Sequence, residues 1–119
     1  MSTSPIPNPN ELRPAMILGG ALAPGQALSN GVPVSVQVPI GGARLVTIRA
    51  LLTCSGSLQP SFTHPGQSTL YTQGNPTAIA VVGNTEVYEQ ITANGEAAVD
   101  LTFTPSGNGV VSFFHVLQL

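Results

Sequence analysis

The sequence predicts an all-β domain, an antiparallel β-sandwich of jelly-roll-like type with about eight short strands. Three observations carry that prediction. Apolar and polar residues alternate with a period of two in several separate runs, which is the signature of strands with one dry face. Glycine and proline interrupt the runs at intervals of roughly eight to twelve residues, the spacing of turns in sandwiches and barrels. The one passage with helical spacing, residues 84–94, is short and ends in Asn94-Gly95, a hairpin signal. With 119 residues the chain fits one domain, divided here into an extended arm over 1–14 and a sandwich over 15–119.

In order along the chain, residues 1–14 contain Pro5, Pro7, Pro9 and Pro14 and no hydrophobic period, so they read as an extended arm outside the core. Ala15–Leu22 is a short apolar passage, broken at Gly19-Gly20, that reads as a first strand entering the sheet, followed by a turn at Pro24-Gly25. Val32, Val34, Val36 and Val38 share one face opposite Ser35 and Gln37, and Pro33 puts that strand at a sheet edge. After Gly41-Gly42, the residues Val46, Ile48, Ala50 and Leu52 make one face of a central strand, with Leu45, Thr47, Arg49 and Leu51 on the other. Pro60, Pro65 and Pro76 cut 55–83 into brief strands and loops. Residues 84–94 carry both a helix and a strand signal, and the hairpin dipeptide that ends them favours strand. Ala97, Val99, Leu101 and Phe103 then alternate with Ala98, Asp100, Thr102 and Thr104. The run 110–118 is apolar on both sides, with Val111, Phe113 and Leu117 on one and Val110, Phe114 and Val116 on the other. A strand of that kind must be covered twice in water, once by its own core and again by something else.

Composition narrows the function. Charged residues are 7% of the chain, against about 25% in ordinary domains, and Arg13, Arg44 and Arg49 are its only permanent cations. That charge is too sparse for a nucleic-acid footprint, and the weak electrostatic repulsion between copies favours permanent assembly. No apolar run is long enough to span a bilayer. Arg13–Ala23 mimics a secretory signal only faintly, because Gly19-Gly20 interrupt it and Pro24 would follow the cleavage point. Cys54 is the only cysteine, which excludes an internal disulfide and a cysteine-rich metal site.

Catalytic candidates are few. His64 precedes Pro65-Gly66 in a loop, and His115 shares a face with Phe113 and Leu117, with no carboxylate nearby in sequence to orient it. Glu86, Glu89, Glu96 and Asp100 lack the apolar surroundings that would raise one member of a catalytic pair, so they read as solvated or interface groups. Gly19-Gly20 and Gly41-Gly42 lack the lysine or following helix of a phosphate loop. The reading is of a non-enzyme with no cofactor and no metal. A glycan-binding or receptor-binding module is the alternative from another class, although tryptophan, the ring best suited to stack on sugars, is missing.

Taken with a small sandwich and surplus apolar faces, the arm SPIPNPNELRP and the C-terminal hairpin resemble the decoration (cement) proteins of tailed-bacteriophage heads. The resemblance implies a structural virion protein on the capsid surface, a homotrimer seated where major capsid subunits meet, with its oligomer interface at Val110, Phe114 and Val116. It assigns the capsid contact to the arm, through Pro5, Ile6, Pro7, Asn8, Pro9, Asn10, Leu12 and Arg13. A tail, baseplate or spike component is the neighbouring structural alternative.

Overall fold

The computed structural model describes residues 13–15, 17, 22–63, 76–93 and 95–119, and these form nine strands and no helix. The strands are β1 (Arg13–Pro14), β2 (Ala27–Leu28), β3 (Val34–Pro39), β4 (Leu45–Leu52), β5 (Gly56–Thr63), β6 (Ile79–Val81), β7 (Val87–Thr92), β8 (Ala98–Pro105) and β9 (Gly109–Gln118). One sheet runs β1–β9–β4–β7, with β2 also pairing β9, and the other runs β3–β8–β5–β6. Every pairing is antiparallel, and the pairs nest: β2 with β9, β3 with β8, β4 with β7, β5 with β6. Outermost strands thus meet outermost and innermost meet innermost. The chain is one long hairpin folded over on itself, which is the jelly roll the alternation predicts.

The core lies between the sheets and is filled by the inward sets of each strand. Val46, Ile48, Ala50 and Leu52 of β4 face Val36 and Val38 of β3, Leu58 and Phe62 of β5, and Val99, Leu101 and Phe103 of β8 across one hydrophobic cluster. β4 sits between β9 and β7, as its pattern of a central strand requires, and β3 is an edge strand, as Pro33 requires. Pro60 is tolerated inside β5 because β6 pairs only with Gly56–Leu58, so among the described residues no strand pairs with β5 beyond Leu58 on that side. Residues 87–92 form a strand, so the hairpin signal outweighs the helical spacing there.

Four expectations are corrected or moved. Phe114 and Val116 point inward and are 4% and 2% exposed, so they belong to the core and not to an outer interface. The cause is a β-bulge: the partner of Leu51 is Phe113 and the partner of Leu52 is Val111, which leaves Ser112 as an extra residue. Strict alternation puts Val111 opposite in direction to Phe114; the extra residue lets both face the core. Val32, expected on the inner face of β3, precedes the strand and is exposed. β2 was not anticipated, since two residues carry no periodic signal. Arg13 and Pro14, assigned to the arm, pair with Gln118 and Leu117, and the amide of Ala15 donates to the Val116 carbonyl at 2.8 Å. Residues 1–12 lie outside the described residues.

Candidate functional site: an interaction surface

The titratable groups do not converge. His115 is exposed on β9 with its ring 5.1 Å from that of Phe113, and its cross-strand partner is Arg49. Arg49 in turn pairs with the Glu86 carboxylate through Nε at 2.8 Å and through Nη2, and its guanidinium lies 5.8 Å from the centre of the Tyr88 ring. Asp100 accepts from the Thr63 hydroxyl at 3.2 Å. Glu96 is buried, which corrects the expectation of a solvated carboxylate. Cys54 is buried and reduced, and burial pushes its thiol above the ordinary value against the opposing pull of a backbone hydrogen bond. His64 lies outside the described residues. Among the described residues no cluster of three or more His, Cys, Asp or Glu side chains could hold a metal ion, and no helix is long and apolar enough to cross a membrane.

The two outer faces of the sandwich differ sharply in chemistry. On the sheet β3–β8–β5–β6 the outward positions hold Ser35, Gln37, Ser57, Gln59, Ser61, Asp100, Thr102 and Thr104, and Ser35 Oγ shares a 2.8 Å hydrogen bond with Thr102 Oγ1. This is a lattice of hydroxyls and amides around the Asp100 carboxylate, and water satisfies such groups well. On the sheet β9–β4–β7 the outward positions hold Leu45, Leu51, Phe113 and Leu117, all partly buried, beside exposed Tyr88, Gln90, Thr92, Arg49 and His115. Thr47 lies at the centre of this face, fully buried, and its hydroxyl has no hydrogen-bond partner among the described residues. An outer sheet face built from leucine and phenylalanine is unusual for a strand face that ends at solvent.

The clearest feature is one end of the roll. The connections β2–β3, β4–β5, β6–β7 and β8–β9 meet there and are tied to one another. The amide of Asn30 donates to Asn108 Oδ1 at 2.9 Å, and that of Gly31 to the Pro105 carbonyl at 2.8 Å. The Ser106 amide donates to the Ser55 carbonyl at 2.9 Å, while Val110 and Thr53 exchange bonds through the Thr53 hydroxyl and the Val110 carbonyl. The Gly83 amide donates to Ser55 Oγ at 2.9 Å and that of Asn84 to the Leu52 carbonyl at 2.7 Å. Packing matches the bonding: a Cβ at Gly109 would sit 2.7 Å from Thr53 Oγ1 and 2.9 Å from Cys54 Cβ, so only glycine fits. On this rigid end stand Val32, Val82 and Val110, exposed by 55%, 59% and 42%. Among the described residues the remaining exposed large hydrophobic is Tyr88.

Of the interface residues named from sequence, Val110 alone is placed on the surface. Val32 and Val82 were missed, since a single valine beside a turn carries no pattern; only the topology brings the three to one end. The arm residues Pro5, Ile6, Pro7, Asn8, Pro9, Asn10 and Leu12 lie outside the described residues, and Arg13 is exposed at the edge of the β9 sheet. A cleft of about 340 Å³ between β6 and β7 is lined by Pro76, Thr77, Ile79, Glu89, Gln90, Ile91 and Thr92, with no aromatic ring among them. No protein-family model, no curated protein and no solved structure matches the chain.

Proposed function

We propose that this chain is a structural virion protein of the capsid-decoration kind, a homo-oligomer that works by adhesion and performs no chemistry. The observation that carries the reading is the contrast between the two outer sheet faces: hydroxyls and amides around Asp100 on one side, and on the other Leu45, Leu51, Phe113, Leu117 and Tyr88 interspersed with Arg49, Gln90 and His115. A body built in that way has a side suited to water and a side suited to another protein. The sparse charge supports permanent rather than exchanging contact. The jelly-roll connectivity is in keeping with it, since capsid and lectin domains both use this fold, although fold alone assigns no function. In this arrangement the leucine-bearing face and the adjoining edge at Arg13 rest on the shell, and the hydroxyl face looks outward. Repeated seating on a lattice makes weak individual contacts strong in sum.

The test uses particles purified from the culture that produces the chain. Mass spectrometry and immunogold labelling are expected to find it in stoichiometric amounts on the head surface of tailed particles. Recombinant chain carrying Leu117→Asp and Tyr88→Asp is expected to fail to re-saturate particles stripped of it. A chain absent from particles, confined to tails, or captured on a glycan array overturns the reading.

A further inference from the structure

We propose that the tied end of the roll, bearing Val32, Val82 and Val110, is the surface through which copies of this chain meet. The inference rests on the reading that the protein is homo-oligomeric and adds the surface and its occupant.

Three properties of this end point to a second copy as the occupant. The first is charge. In the loops 29–33, 53–55, 82–86 and 106–110 the one ionisable side chain besides Cys54 is Glu86, whose carboxylate is already engaged by Arg49. Contact between identical surfaces is ordinarily opposed by repulsion of identical charges, and here that opposition is missing. A strongly charged partner would have nothing to pair with.

The second is hydrogen-bond character. Apart from Glu86, the exposed polar side chains of these loops are hydroxyls and primary amides, Ser29, Asn30, Asn84, Thr85 and Asn108 among them. Hydroxyls and primary amides each carry both donor and acceptor capacity, so a surface made of them complements itself, which one made of carboxylates or ammonium groups cannot do.

The third is preorganisation and size. The loops are cross-bonded before any partner arrives, so docking costs little ordering entropy. Leaving aside buried Cys54, the four loops supply seventeen residues, somewhat below the roughly 20–30 a side of a standard interface. The leucine-bearing sheet face is separate from this end and stays available for a different partner.

Sedimentation velocity over a range of concentrations tests the inference, using the full chain, the triple variant Val32→Asp/Val82→Asp/Val110→Asp, and the face variant Tyr88→Asp/Leu117→Asp. Buried aspartates at the contact are expected to weaken self-association by about a hundredfold or more, leaving folded monomers, while the face variant still associates. Val→Asn at the same three positions is a milder variant should the aspartates impair folding, and circular dichroism reports the fold of each. If the native chain associates and the end variants associate equally well, the surface assignment is overturned and the oligomer reading stands. A native chain that stays monomeric at every concentration overturns both.

Discussion

Truncating the last strand at two adjacent positions separates the bulged arrangement from simple alternation. Phe114 is almost wholly enclosed, opposite Ala50 and within the cluster shared by both sheets, whereas Phe113 is only partly buried on the outer face opposite Leu51. Phe114→Ala removes a buried ring and leaves a cavity that the β-sheet backbone cannot close, at a cost of about 3–5 kcal/mol. A domain of 119 residues has about 6–18 kcal/mol in total by per-residue scaling, so this one change removes a large share of it. Phe113→Ala, losing a half-solvated ring and its contact with His115, should cost about 1 kcal/mol. The assay is urea unfolding followed by far-ultraviolet circular dichroism, where a slope of about 1.5 kcal/mol/M turns these losses into midpoint shifts of about 2–3 M and well under 1 M. Equal shifts, or a larger one for Phe113→Ala, would show that Ser112 is not the extra residue and that the core lies on the other side of β9. By the same reasoning Phe114→Asp yields unfolded or aggregated chain and not a soluble monomer.

Two further outcomes follow from buried polar groups. Thr47→Val keeps the shape of the side chain and removes a buried hydroxyl without a partner, so stability should rise by about 1 kcal/mol; a loss of similar size in the same urea titration would mean that the hydroxyl is satisfied. The Cys54 thiol holds its proton in the folded state to a pH above the ordinary thiol value near 9, because burial disfavours the thiolate. Between the unfolded and folded values the folded chain binds more protons, so stability is intact below about pH 9 and declines as pH climbs through the folded value. Urea midpoints measured from pH 7.5 to 10 should fall more steeply for the native chain than for Cys54→Ala, and parallel curves would refute the assignment.

Much of the fold was written in local pattern. Val46, Ile48, Ala50 and Leu52 announced β4 and its buried face, and Val99, Leu101 and Phe103 did the same for β8, because a strand half-covered on one side must alternate. Pro33 correctly marked an edge. The errors have a common origin in features that periodicity does not encode. One inserted residue at Ser112 reverses the direction of every later side chain on β9, so the expected outward pair Phe114 and Val116 went inside. The candidate surface was legible only at Val110. Val32 and Val82 are separated in sequence by the whole of β3, β4, β5 and β6, and become neighbours of one end through crossovers that no local motif specifies.

The nested pairing also dictates when this protein can fold. β9 is an interior strand, flanked by β4 on one side and by β1 and β2 on the other, and all three lie far before it in the chain, β4 by nearly half its length and β1 and β2 by more. During synthesis those earlier strands emerge with their partner still unmade, and the hairpin closest to complete is β5 with β6, near the middle. The roll must therefore close from the inside outward and wait for residues 109–118 to clear the ribosome. Folding dominated by such distant pairings runs on the scale of milliseconds to seconds. Throughout that interval unpaired edges such as β4, rich in leucine, isoleucine and valine, stand open to neighbouring chains, so a protein made in many copies needs its last strand promptly to escape tangling with its siblings.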